Sequence, residues 1–383
     1  MTVPIPQYEH LFLPAWPQLL IFLSTLMFWV HLLLVGIVVG GSIFLLSRAL
    51  RKKSDLDQQL DRRILRVIPV CISLTITFGV APLLFTQALY GQYFYSANIL
   101  IAPFWLGSLG FLMIGFIGIY LAYKFRSVSV NLIFLLIVVL SFISVLYIFT
   151  NNAVLSLQPE HWLEFHRGEQ ILHVRDAIVN PRVLHNIGAT LVISGLAIAW
   201  IGRFRQSDRE AREHAVRTGM HWMMIGLVLQ IAFGLWYVIA VPGAIRTDLI
   251  NFTNLTSIAW YLAVIFVFLN LYTALRAIIL PGQTKWLLLS TLLPALGLVG
   301  MLLARQYLRT AYLARNIAGQ FKVQDWHVLP QIQQFLIFAV LLLIVLAIVA
   351  ITLLLVLRSK PAPKEISNSE NPYGIMKPKI LDP

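Results

Sequence analysis

The side chains best suited to chemistry in this chain are histidines embedded in apolar runs. His31 sits in LMFWVHLLLVGIVVGG and His185 in NPRVLHNIGATLVISG. An ionisable group at hydrocarbon depth is costly, and it faces a bundle interior, a polar partner or a cofactor. His31 precedes Arg48 by 17 residues and His185 precedes Arg203 by 18, which is about 25 and 27 Å of helix. The spacing therefore predicts both imidazoles at one depth, in the half of the membrane away from those arginines. Paired neutral imidazoles between helices suit haem b, whose iron takes nitrogen ligands. The competing reading of each is a hydrogen-bonded core histidine. Gly36, Gly40, Gly41 and Gly188 lie close by and would either admit a ring system or let helices approach closely.

His221, in RTGMHWMMIGL, lies four residues past Arg217, at the opposite edge of the membrane. It is a candidate for a second haem or an interfacial histidine, and Met220, Met223 and Met224 beside it are candidate thioether ligands or packing residues. The segment 151–182 carries His161, Glu164, His166, Glu169, His173 and Asp176. Quinol oxidation needs a base for each of two protons, and His/carboxylate pairs at a membrane surface suit that work; a solvated amphipathic segment is the alternative. The histidine gaps match no zinc spacing. Arg305, Arg309, Arg315 and Lys322 form a basic strip in 305–331, suited to an acidic electron-carrier protein, to lipid headgroups or to haem propionates; ordinary anchoring of the helix end is the alternative.

These residues must be positioned by membrane helices. The chain of 383 residues is 59% hydrophobic and 12% charged, with mean hydropathy +0.80, against about half apolar and about a quarter charged in soluble domains. Soluble and disordered classes are excluded. Apolar runs able to cross about 30 Å of hydrocarbon occur near 18–47, 67–90, 101–123, 129–150, 183–202, 218–241, 254–275, 286–304 and 332–357, predicting nine helices. The loops at 48–66, 124–128, 203–217 and 276–285 and the tail hold 21 of the 29 Lys and Arg residues. The positive-inside bias then sets the N-terminus outside and the tail in the cytoplasm. Orientation thus accounts for much of the +13 charge, with no nucleic-acid partner required. The long first run does not fit a cleaved signal peptide. Cys71 is the single cysteine, which removes disulfides, thiolate clusters and covalent CxxCH haem. Residues 1–357 are expected to form one transmembrane haem-binding domain, with 358–383 a proline-rich flexible cytoplasmic tail.

Four segments together resemble subunit I of cytochrome bd-type quinol oxidases. His31-LLLVGIVVG is similar to that family's first-helix histidine and glycine run, and FGVAPLLFTQALYGQYFY (78–95) to its second-helix GVATG…EFQFG segment. NPRVLH (180–185) resembles the start of helix five with its low-spin haem b histidine, and HVLP (327–330) the VLP before its last helix. The resemblance implies an all-α bundle of nine helices with an extracytoplasmic N-terminus, in a bacterial cytoplasmic membrane. It also implies one or two haems b held by His31 and His185, quinone or quinol as substrate, and a second bd-like subunit as a possible partner.

The chain departs from the family at the residues that reduce oxygen. Thr86 or Gln87 stands where the family has its helix-two glutamate, and Arg305 or Gln306 where it has the helix-eight glutamate. TSIAWYLAVIF (256–266) has no methionine to complete low-spin ligation, and the quinol loop has shrunk to PGAIRTDLINFTN (242–254). The expectation is a respiratory haem b subunit exchanging electrons between quinone and an extracytoplasmic partner, such as a c-type or multihaem cytochrome; the residues do not fix the sixth ligand opposite His185, for which Met301 and His221 are only candidates. Alternatives are a divergent quinol oxidase and a haem-free anchor or assembly subunit; a transporter ranks below these, since no paired broken helices are seen.

Overall fold

A computed structural model describes residues 12–125, 128–205, 208–251, 255–316 and 327–358. The chain divides at Leu329 and Pro330 into two units. The first contains helices α1 (Pro17–Arg48), α2 (Asp55–Leu100), α3 (Ala102–Lys124), α4 (Val128–Leu155), α5 (Val179–Arg205), α6 (Arg209–Ala240), α7 (Leu255–Ile279) and α8 (Thr284–Asn316). All eight are long and apolar enough to cross a membrane. The second unit holds a further helix, α9 (Ile332–Arg358), whose described apolar stretch Ile332–Ile344 is shorter. The expected ninth span thus coincides with a helix, while the expected tail beyond Arg358 lies outside the described residues.

Helix is the form these segments take because a lipid-exposed backbone must satisfy its hydrogen bonds within itself. Polar residues fix the ends. Ser54 and Asp57 form a reciprocal capping box at the start of α2, Asp208 accepts from the Ala211 amide at 3.0 Å to start α6, and prolines occupy the first turns of α1 and α3, where a missing N–H costs nothing. Two helices are locally irregular. Residues Gly36–Gly40 of α1 form a π-helical turn, and α2 breaks at Tyr90 (φ −137°, ψ 30°).

Within the first unit α1 packs on α2, α3 on α4, α5 on α6 and α7 on α8, and α5 also crosses the π turn of α1. That crossing and the α5–α6 contact explain the glycines. A methyl on Gly40 would fall onto the Thr190 carbonyl oxygen, one on Gly36 would lie 2.5 Å from Ile193 Cβ, and one on Gly188 would lie 2.9 Å from the Gln230 amide nitrogen. They serve close packing, as does the burial of Met220 and Met223 among Val192, Leu196 and Leu227. At the end of the bundle carrying Arg48, that residue pairs with Asp57 at 2.6 Å and buried Asp61 at 3.0 Å, Lys53 with Asp61 at 2.7 Å, and His214 with Asp57 at 2.8 Å, pinning α1, α2 and α6 together.

Several elements run past their expected limits. Helix α2 begins a dozen residues before the expected start at 67, and α8 continues to Asn316, so Arg305 and Arg309 are helical and not part of a loop.

Candidate functional site

His31 and His185 are held by the same construction. His31 Nδ1 lies 2.9 Å from the Thr75 carbonyl oxygen on α2, and His185 Nδ1 lies 3.0 Å from the Gln230 carbonyl oxygen on α6. A carbonyl only accepts, so each Nδ1 carries the hydrogen and each Nε2 keeps its lone pair. Four residues after each carbonyl, on the same helix, stands a glycine facing the ring. A Cβ on Gly79 would lie 2.7 Å from His31 Cε1, and one on Gly234 would lie 3.0 Å from His185 Nδ1. Phe28 stacks on His31 with centroids 5.9 Å apart. A backbone carbonyl that fixes the tautomer and ring orientation is the usual support behind a metal-ligating histidine.

A small cleft of about 30 Å³ is lined by residues that include Gln158, Arg182, Tyr237, Arg305, Arg309 and Tyr312. Arg305 lies 4.5 Å over the Phe28 ring, next to His31, and Arg182 precedes His185 by three residues. Arg309 lies 4.5 Å over the Tyr90 ring, whose hydroxyl also accepts from Gln306 Nε2 at 2.7 Å. Among the described residues no carboxylate lies within ion-pairing distance of Arg305 or Arg309. Tyr312 is 7% exposed, and its buried hydroxyl has no hydrogen-bond partner among the described residues. A cationic cleft with an unsatisfied phenol suits a ligand that brings acceptor oxygens.

Behind the cleft, the segment between α4 and α5 folds into a polar network. Gln158 Nε2 donates to Asp176 Oδ2 at 3.0 Å, and buried His173 donates through Nε2 to Gln158 Oε1 at 2.6 Å, with Asp176 Oδ2 3.5 Å away. The His173 amide donates to Asn151 Oδ1 at 2.5 Å. The His161 ring lies 5.1 Å from that of His173, and its Nδ1 is 3.1 Å from Glu164, which also accepts from Gln170. Burial lowers the His173 pKa, outweighing Asp176 and Glu164, which raise it; the His161 hydrogen bond lowers that of Glu164.

Of the expected site residues, the fold brings Glu164 and His173 together with His161 and Asp176. His166 and Glu169 stay exposed, Glu169 lying 3.8 Å from Arg167. His221 is also exposed, its Nδ1 donating to the Arg217 carbonyl of its own helix at 2.7 Å. Met301 is half-buried. The expected docking strip is dispersed, with Arg305 and Arg309 turned into the cleft, Arg315 exposed and Lys322 outside the described residues. Among the described residues no three His, Cys, Asp or Glu side chains converge as a metal site; a macrocycle that brings its own four nitrogens needs only one or two axial side chains.

Fold and surface define a multi-pass helical membrane protein of a lipid bilayer. A chain of a solved structure, the bd oxidase from Geobacillus thermodenitrificans, matches with a TM-score of 0.63 at 15% identity, over 89% of this chain and 98% of that one. The protein therefore has a bd-type, subunit I-like fold. No family model matches the sequence, and no curated protein matches it.

Proposed function

We propose that this chain is a respiratory quinol oxidase-like membrane subunit that binds haem b and exchanges electrons between quinol and an extracytoplasmic acceptor such as a c-type cytochrome. The observation that carries the reading is the duplicated histidine support: Nδ1 on a backbone carbonyl, a glycine four residues on, and Nε2 left to ligate. The bd oxidase that shares the fold agrees with this class. His31 and His185 would hold the haem through Nε2, and Arg305 and Arg309, with no carboxylate partner among the described residues, would neutralise its propionates. Bound there, haem supplies one-electron transfer. Glu164 and His173 handle protons. A neutral Gln306–Tyr90 pair and cationic Arg305 occupy the surroundings where the family resemblance predicts an oxygen-site acid, which favours electron exchange with a partner over oxygen reduction. The cell membrane in question is the bacterial cytoplasmic one, with the His173 segment outside.

The test is a dithionite-reduced minus oxidised spectrum of the purified protein and of His31→Ala and His185→Ala. A b-type band altered in each variant is expected. Absence of any such band in the wild type ends the haem reading, and a spectrum unchanged in both variants ends the ligand assignment.

A further inference from the structure

We propose that the small cleft is an anion site, in which Arg182 and Tyr312 hold a planar monovalent oxyanion of the size of formate or bicarbonate. The site goes beyond the haem reading and does not depend on it. Haem propionates would meet Arg305 and Arg309, and Arg182 is left without a counter-charge.

The fold crowds positive charge into this place. Arg182 on α5 and Arg305 and Arg309 on α8 line one cleft, whose other walls include the apolar Val154, Leu157 and Ile178. Arg305 is within electrostatic reach of both other arginines, and Arg309 of Arg182. Among the described residues no carboxylate lies within ion-pairing distance of Arg182. The acids that reach Tyr312 are Asp176 and Glu160. Asp176 is already engaged, accepting from Gln158 Nε2 at 3.0 Å and the Ile178 amide at 2.7 Å, with His173 3.5 Å away. Guanidinium groups stay charged, and a partly buried cation is costly until a counter-ion joins it.

Size and donors select the anion. A volume of about 30 Å³ has room for about two water-sized groups. The oxygens of one carboxylate fit that space, whereas a phosphate ester, a quinone ring or the edge of a macrocycle does not. The fork of N–H donors on a guanidinium matches a planar oxyanion. The Tyr312 hydroxyl, buried and with no hydrogen-bond partner among the described residues, supplies a further donor. No carboxylate lines the cleft to repel the ligand. Since Arg182 belongs to α5 and Tyr312 to α8, an anion held by both ties these helices together and stabilises the folded chain by mass action.

The experiment uses the full-length protein in phosphatidylcholine nanodiscs, in buffer whose salt is gluconate, an anion too large for the cleft. Equilibrium dialysis with radiolabelled formate is expected to show one saturable site per chain, from which bicarbonate displaces the label. Loss of a charge-assisted hydrogen bond in Arg182→Gln should weaken binding at least about tenfold, and loss of the phenol donor in Tyr312→Phe at least about threefold. Arg182→Lys, which keeps the charge and loses the fork, should fall between wild type and Arg182→Gln, and Arg315→Gln, an exposed site on the same helix, should match wild type. Formate should raise the thermal midpoint of wild type and not that of Arg182→Gln. Without formate, Arg182→Gln should melt no lower than wild type, because it removes an uncompensated cation. A wild type with no saturable formate site, equal affinity in Arg182→Gln, or an Arg182→Gln midpoint below wild type without formate overturns the proposal. Formate expelled one for one as haem loads makes the occupant a propionate, and a phospholipid retained by wild type and lost in Arg182→Gln makes it a headgroup; either result also overturns it. A formate site intact in a protein with no b-type band supports the anion site and refutes only the haem reading.

Discussion

Replacing Gly79 by alanine tests the histidine support most directly. The added methyl would lie 2.7 Å from His31 Cε1 and 2.8 Å from Nδ1, where ordinary contact begins at 3.4 Å. The ring must therefore shift by about 0.7 Å, more than the roughly 0.5 Å within which a preorganised site holds its geometry. Loss of the Thr75 hydrogen bond costs about 0.5–1.5 kcal/mol and the overpacking about 1–3 kcal/mol. A penalty of about 1.5–4.5 kcal/mol is a roughly 10- to 2000-fold loss in haem affinity. Gly234→Ala, whose methyl would lie 3.0 Å from His185 Nδ1, should show a smaller effect of the same kind. A methyl on Gly107 or Gly110 would meet nothing within 4 Å, and alanine there should be neutral or gain up to about 1 kcal/mol of helix propensity. The assays are the haem-to-protein ratio with its difference spectrum and, independent of haem, the thermal unfolding midpoint. If Gly79→Ala matches Gly107→Ala in both, the steric argument is wrong.

Three further outcomes follow from the same geometry. Gly40→Ala should destabilise the protein far more than its neighbour Gly41→Ala, because the first methyl meets the Thr190 carbonyl while the second lies 3.5 Å from Ile68; thermal midpoints of the pair decide it. Asp61→Asn removes the buried partner of both Arg48 and Lys53 and should cost up to about 3–5 kcal/mol, read as a lowered midpoint with the haem spectrum retained. The lowered His173 pKa means that below the ordinary imidazole value of 6.5 the unfolded chain binds a proton that the folded one refuses. Stability should then fall as pH drops from 6.5 toward the folded value, by at most about 1.36 kcal/mol per pH unit, and His173→Gln should flatten that slope when midpoints are measured from pH 7 to pH 5.

The helical spans are legible because apolar length is a direct requirement of the bilayer, and His31 and His185 stand out because a titratable group within such a run is expensive. The end of α8 escapes a hydropathy reading for the same reason: hydropathy stops at Arg305, whereas helical periodicity does not. Arg305, Leu308, Arg309 and Tyr312 fall at i, i+3, i+4 and i+7, one face of a continuing helix, and that spacing is the available signal for the cleft. His166 and Glu169 cannot be separated from His173 and Glu164 by type, since their difference lies in which side of a short segment the fold buries.

By itself the sequence determined a membrane-embedded helical chain, its charge asymmetry and the two histidines worth pursuing. Tertiary structure decided what those histidines can do. The Thr75 and Gln230 carbonyls that fix their tautomers are backbone groups with no residue signature, and the glycines that make room for the rings lie 48 and 49 positions away in the chain. Arg182, Tyr237, Arg305 and Tyr312 likewise come from three helices and become one cleft only through packing, because distance in sequence carries no information about which helix faces will meet.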